Sequence, residues 1–290
     1  MSLIVKAPAP SKKVLNNYRD MKHIVCYSGG HSSALVAIEV VRKYGKENVI
    51  LVNHDISSNV EHEDIKRFKR DVAKYLGLPI TYVNIDGKIA SDIPDQFDVC
   101  VSISAFKVGQ GTELCTSKLK TEPFLLWLSK IPPDECIIYY GFDKSERVRI
   151  QRRAGILGAK GYKTEYPLAF WERSILTTKE IGIEPPMSYS KFKHANCIGC
   201  LKAGKRHWYI TYCLRPDIFK KAKWAESEIG YTIIKGVSME ELEPIFKVMK
   251  ASGIEANEHE HANTFWAKVR KMNLSLMAED FSNKPCECII

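Results

Sequence analysis

The chain contains no apolar run approaching the ~20 residues that a membrane-spanning helix needs, so a spanning segment is not expected. Residues 1–20 carry two prolines and a Ser-Lys-Lys run but no apolar h-region. They read as a loose arm, and export is not expected. Neither an internal repeat nor a low-complexity segment is visible. Acidic residues are in deficit: 34 Asp and Glu stand against 43 Lys and Arg, giving +9 at neutral pH. Such an excess suits an anionic ligand, either a nucleotide or a nucleic acid. Nine cysteines without an export signal point to a reducing, cytoplasmic setting. There, clustered thiols hold metals or do redox chemistry more often than they pair as disulfides. At 290 residues the chain can bury the core of one α/β domain and carry an appendage.

His23-Ile24-Val25-Cys26-Tyr27 reads as a buried strand, Ser28-Gly29-Gly30 as a turn, and His31 as the start of an apolar helix. Glycine has no Cβ, so the turn can be tight and a ligand can come close to the backbone. Ser32 or Ser33 is placed to cap the helix, whose first amides favour an anion. Asn48 to Asp55 reads as a second strand and Pro79 to Ile85 as a third. Between them Ile65, Phe68, Val72 and Leu76 recur at helical spacing, predicting a helix from about Val60 to Leu76 closed by Gly77. Cys136 to Phe142 supplies a fourth strand. The alternation predicts an α/β fold with a doubly wound parallel sheet of about five strands. Ligands in such sheets lie beyond the carboxyl ends of the strands, where Ser28 and Asp55 fall.

Residues 86–112 read as an irregular loop at the mouth of that site. Lys118 and Lys120 lie on a basic helical stretch, and Arg149, Arg152 and Arg153 share one face of a helix after the fourth strand. Guanidinium forks pair with phosphate or sulfate two bonds at a time. Pro185-Pro186 marks a change of composition. The expected organisation is an arm over 1–20, a nucleotide-binding domain over 21–185, and a helical, cysteine-bearing C-terminal region over 186–290.

Ser28-Gly29-Gly30-His31-Ser32-Ser33 resembles the Ser-Gly-Gly-x-Asp-Ser pyrophosphate loop of the adenine nucleotide α-hydrolase superfamily, with Ser32 in the aspartate's place. Cys115-Thr116 through Lys120 and Pro123, the Gly141 to Arg152 stretch, and Tyr166-Pro167-Leu168 with Trp171 are similar to motifs of the phosphoadenosine phosphosulfate (PAPS) reductase-like branch. The resemblance runs over residues 22–205. It implies an adenine nucleotide, ATP or PAPS/APS, held by Ser28, Gly29, Gly30, His31, Ser32, Ser33, Asp55 and Arg152, with Mg2+ as a further cofactor. Arg149 and Lys118 would then neutralise charge in the transition state. The activity implied is sulfonucleotide reduction or sulfur transfer. Alternatives are a nucleotide-binding regulatory protein, favoured by Ser32, and an ATP pyrophosphatase-like enzyme modifying tRNA or DNA by thiolation.

Cys197-Ile198-Gly199-Cys200 is the strongest metal signal, because two thiolates at this spacing reach one ion or one cluster edge. Two arrangements compete. Cys197, Cys200, Cys286 and Cys288 would make a four-thiolate zinc or iron–sulfur site stapling the tail. Cys115, Cys197, Cys200 and Cys213 would instead hold a [4Fe–4S] cluster, as in DNA-phosphorothioation enzymes. In the second case Cys288 is left to act as a nucleophile, since Glu287-Cys288 resembles the reactive tail of sulfonucleotide reductases, and a thioredoxin-like reductant becomes a partner. Cys26, Cys100 and Cys136 read as core filler. Trp208, Tyr212, Phe219 and Trp224 read as core aromatics, and Ser238 with Glu241 reads as a capping box opening a helix over Met239 to Ala251. His259 and His261 read as a solvated helix face.

Overall fold

A computed structural model describes residues 20–271, apart from 86, 87, 89–91, 109–111 and 196. The elements begin with β1 (Lys22–Cys26), α1 (His31–Tyr44), β2 (Val49–Asn53), α2 (Glu63–Leu76), β3 (Ile80–Tyr82) and α3 (Gln96–Ser102). A short hairpin, β4 (Lys107–Val108) and β5 (Thr112–Glu113), leads to α4 (Leu114–Thr116), a π-helical turn over Ser117–Thr121, and α5 (Glu122–Leu128). Then come β6 (Cys136–Tyr139), α6 (Arg147–Gly158), β7 (Lys163–Glu165) and α7 (Pro167–Phe170). Helices α8 (Lys205–Leu214), α9 (Pro216–Ile229), α10 (Met239–Ala251) and α11 (Ala262–Arg270) complete the described chain.

Five strands form one sheet in the order β3-β2-β1-β6-β7, and every pairing in it is parallel. Alternate side chains of the central strands feed two cores, as the two-residue period of a strand dictates. Val25, Leu51, Ile137 and Tyr139 meet Leu35, Ile38, Phe68 and Val72 from α1 and α2 on one face. Ile24, Cys26, Val52 and Ile138 meet Phe124, Leu128, Ile150 and Leu157 from α5 and α6 on the other. The fold is therefore the doubly wound α/β sheet that the alternation predicts. Chain order reverses between β1 and β6, which is where such sheets open a ligand crevice.

A third core joins α8 to α11 and draws in α3 through Phe97, Val99 and Cys100. Residues 86–112 are thus not wholly irregular. Asp95 caps α3 with a full capping box, and α3 packs against α9. At seven residues this helix is too short to show a period, and its apolar face answers to C-terminal partners far away in sequence. Trp208 and Phe219 are buried as expected, but Trp224 is 42% exposed, since α9 turns its opposite face, Ile218, Phe219, Ala222 and Ala225, to the core. The capping box of Ser238 and Glu241 forms. His259 and His261 precede α11 instead of lying along a helix face; His261 caps it and His259 meets the Tyr189 carbonyl. No helix of the described residues is long and apolar enough to cross a membrane. Cys286 and Cys288, and the arm up to residue 19, lie outside the described residues.

Candidate functional site

A cavity of about 730 Å³ opens at the carboxyl ends of β1 and β6. Ser28, Gly30, His31, Ser32 and Ser33 line it from the β1–α1 turn, Asn53 and His54 from the end of β2, and Gly141 from the end of β6. The C-terminal region closes the opposite wall with Tyr189, Lys193, His194, Lys202, Gly204 and His207.

The turn is held in place by contacts from behind and beside it. Gly30, not Ser32 or Ser33, is the N-cap of α1, and no side chain caps the helix. Ser33 lies three residues beyond the cap, inside the first turn; its hydroxyl donates back to the Gly30 carbonyl at 2.8 Å and receives the Ser28 hydroxyl at 3.3 Å. The His31 amide donates to the Tyr189 hydroxyl at 2.9 Å. The Thr178 amide donates to His31 Nε2 at 3.2 Å, which fixes that nitrogen as an acceptor, and burial lowers the imidazole's pKa. The first-turn amides of a helix have no intrahelical acceptor, so this end of α1 carries partial positive charge into the cavity. At Gly141 an added Cβ would lie 3.1 Å from the backbone of Ser32 and Ser33, so glycine there lets β6 close on the first turn of α1.

Behind the turn, Gly29 has φ +85°, and an added Cβ would fall on the Lys69 side chain. Lys69 is 1% exposed and lies 3.0 Å from Glu61, while Lys66 reaches Asp55 at 2.7 Å and Glu61 at 3.1 Å. Burial alone would lower the Lys66 pKa, but the Glu61 and Asp55 carboxylates outweigh it and hold the ammonium charged. Two lysines and two carboxylates thereby form a neutral buried buttress. Asp55 belongs to it and does not line the large cavity.

The cations divide differently from the sequence expectation. Arg149 lines the cavity, pairs with Glu146 and lies 4.4 Å from the Phe142 ring. Lys120 and Lys202 also line it, Lys202 bridging to Glu113 at 3.1 Å. Lys118 does not: it is exposed and pairs with Glu122 at 2.9 Å. Lys118 and Lys120 are two residues apart, so any helical turn through Ser117–Thr121 sets them on opposite sides. Arg152 lies on the exposed side of α6, outside the cavity lining.

Several buried polar atoms around the cavity have no hydrogen-bond partner among the described residues: Asn53 Oδ1, both ring nitrogens of His54, and His207 Nε2. Buried polar atoms are nearly always partnered in folded proteins, by protein, water or ligand. Burial, and then the Lys120 charge, pushes the His54 imidazole down to about 3. Glu258 accepts from, or orients, His207 Nδ1 at 3.1 Å. Burial opposes ionisation of Glu258, yet its contacts with His207 and the Lys193 amide keep its pKa below the usual value.

Cys115, Cys197 and Cys200 line one smaller cavity beside the first, together with Asp55, Thr116 and Leu119. Cys200, Lys120 and Ile56 line both cavities. Gly199, at φ +70°, shapes the Cys197–Cys200 knuckle against Trp208 and Ile218. Cys213 is not in that group; it lies on α8, its pKa raised by burial and lowered in part by the Tyr209 hydroxyl. Cys26 and Cys100, both pushed up to about 12 by burial, and Cys136, pushed up to about 11, sit in the core as filler. Among the described residues no group of three or more His, Cys, Asp or Glu side chains is arranged to hold a metal ion. The donor chemistry of the three-thiol cavity nevertheless suits soft-ligand centres, zinc or iron–sulfur.

His54, His207 and Glu258 were missed in the sequence. The polar end of the second strand, Asn53-His54, and the basic run after Cys200, Lys202 to His207, were the available signals. Neither the known family models nor the curated proteins give a match to this chain.

Proposed function

We propose that the protein is an adenine-nucleotide-binding enzyme of the PAPS reductase-like type, acting in sulfonucleotide reduction or sulfur transfer. The observation that carries the reading is the adjacency of the two cavities: Cys200 lines both the wall facing the α1 turn and the three-thiol chamber. The nucleotide's phosphates sit on the first turn of α1, against the hydroxyls of Ser28, Ser32 and Ser33. Arg149 and Lys120 offset their charge, and the neutral His31 ring adds no cation of its own. Cys115, Cys197 and Cys200 would contribute thiolate ligands to a bound centre, which would supply electron transfer if it is [4Fe–4S] and thiolate activation if it is zinc. The nine cysteines suit a cytoplasmic setting. The buttress of Lys66, Lys69, Asp55 and Glu61 holds the turn rigid, so that charge developing on the nucleotide meets preset dipoles.

The test is iron, zinc and acid-labile sulfide analysis of protein purified without oxygen, followed by incubation with ATP, or with APS or PAPS together with a dithiol reductant that supplies the two electrons. Metal lost in Cys200→Ser, with sulfite or pyrophosphate released by the wild type, is the expected result. Full metal retention in Cys200→Ser, or absence of turnover with every nucleotide, overturns the enzyme reading. Ser32, in place of an aspartate, favours a second reading in which nucleotide binds without turnover; a thermal shift with ATP and no product would identify it.

A further inference from the structure

We infer that the hydroxyl of Tyr189, from outside the β1–α1 turn, is a ligand of the oxyanion seated on that turn, so that the C-terminal region completes the anion site. The inference deepens the reading of the turn as a phosphate seat and rests on it, not on the identity of the base. Tyr189 lies 158 residues beyond His31, on a short helical turn over Met187–Ser190, and lines the cavity. Its oxygen accepts the His31 amide at 2.9 Å. The phenol's own hydrogen is left over, with no acceptor among the described residues. A phenol accepts and donates at once, and a tyrosine hydroxyl packed into a protein usually finds a partner. Burial raises the phenol's pKa against the opposing His31 bond, so the proton stays on the oxygen at neutral pH. Gly30 admits the hydroxyl: a Cβ there would lie 3.3 Å from the Tyr189 oxygen and 3.8 Å from the Ser28 oxygen. Two hydroxyls thus flank the open side of Gly30, at the end of α1 that no side chain caps. An oxyanion there takes the phenolic proton in a charge-assisted bond, strengthened by the amide that donates to the same oxygen.

A tyrosine that merely plugged the amide would have to swing out when a ligand arrived. The segment that carries Tyr189 is pinned against that motion. The Met187 amide donates to Asp64 at 2.6 Å, and His259 Nε2 donates to the Tyr189 carbonyl. The Glu258 amide donates to the Lys191 carbonyl at 2.8 Å, and the Glu258 carboxylate accepts the Lys193 amide at 2.9 Å. Phe192 packs on the His207 ring, with 5.1 Å between centroids. A tyrosine has two side-chain torsions, and on a pinned backbone little freedom remains to be lost on binding. The hydroxyl is therefore a preset member of the site.

The experiment is isothermal titration of inorganic pyrophosphate, ATP and adenosine into the full chain and into Tyr189→Phe, in magnesium-containing buffer. Phenylalanine keeps the ring and removes only the hydroxyl. Loss of one hydrogen bond to a charged group weakens binding by about 10- to 150-fold, for pyrophosphate and ATP alike, while adenosine affinity stays as it is. Pyrophosphate binding to Tyr189→Phe as tight as to the wild type overturns the inference, as does the tighter binding that a displaced plug requires. An equal loss of adenosine affinity also overturns it, since the substitution then acts through the fold and not through the anion. If ATP binds no more tightly than pyrophosphate while the variant's loss persists, the nucleotide reading has failed and Tyr189 stands as an anion ligand. Failure of the wild type to bind pyrophosphate overturns the inference alone when ATP still binds, and both readings when ATP does not.

Discussion

Of the two glycines in the β1–α1 turn, Gly29 and Gly30, only the first is required by the backbone, and the difference is measurable. Gly29 sits at φ +85°, where a side chain strains the chain by about 1–2 kcal/mol. Its Cβ would also fall on the buried methylenes of Lys69, and forcing extra volume into a filled core costs about 1–3 kcal/mol. Lys69 has no easy retreat, because its ammonium is held by Glu61 at 3.0 Å and its backbone carbonyl accepts the Tyr27 hydroxyl at 3.0 Å. Gly29→Ala should therefore destabilise by about 2–5 kcal/mol, the sum of those two terms. Gly30 has φ −83°, and its Cβ would meet the Tyr189 hydroxyl at 3.3 Å and Ala195 at 3.6 Å. Gly30→Ala should cost no more than the loss of an N-cap, about 1 kcal/mol. Urea unfolding followed by far-UV circular dichroism reads both. At a slope of about 3 kcal/mol/M, Gly29→Ala lowers the midpoint by about 1 M and Gly30→Ala by a third of that or less. Equal midpoints for the two variants would refute the buttress argument.

Gly141→Ala should leave the fold intact but push β6 and the first turn of α1 apart by a few tenths of an ångström, weakening ATP binding in a calorimetric titration more than it lowers the urea midpoint. Lys120→Ala should weaken ATP by about 10- to 150-fold, the loss of a charged contact worth about 1.5–3 kcal/mol, whereas Lys118→Ala changes it little because Lys118 lies outside the cavity lining. His54 is neutral when folded, with its pKa held at about 3 against an ordinary 6.5, so the unfolded chain gains a proton as pH falls below 6.5 and the folded chain does not. Stability is then lost progressively between pH 6.5 and 3, by about 2 kcal/mol from pH 7 to pH 5, and urea midpoints of His54→Gln should lack this component.

The sheet was legible because its strands are continuous apolar runs bounded by turns, and parallel strands covered on both faces must read that way. The turn at Ser28 was legible for the same reason: Gly29-Gly30 follows the first strand directly. Less visible was anything whose partner lies far along the chain. Tyr189 holding the His31 amide, Thr178 fixing the His31 ring, and α3 burying Phe97 against α9 are all long-range contacts without local period. Asp55 showed the limit of position as an argument. It lies at the end of β2 as expected, yet its carboxylate is taken by Lys66 and it faces the smaller, thiol-lined cavity. Among the cysteines, spacing identified Cys197 and Cys200 and the resemblance grouped Cys115 and Cys213 with them; the fold sets Cys115 in one cavity with the pair and leaves Cys213 on α8.

The central claim is that phosphate at the first turn of α1 anchors a nucleotide, and isothermal titration of ATP, ADP and adenosine in magnesium-containing buffer tests it most directly. The account predicts that ATP binds, that adenosine binds at least about tenfold more weakly through loss of charge-assisted contacts worth about 1.5–3 kcal/mol each, and that Arg149→Ala narrows the gap. Adenosine binding as tightly as ATP, or an Arg149→Ala variant that leaves the gap intact, would contradict it.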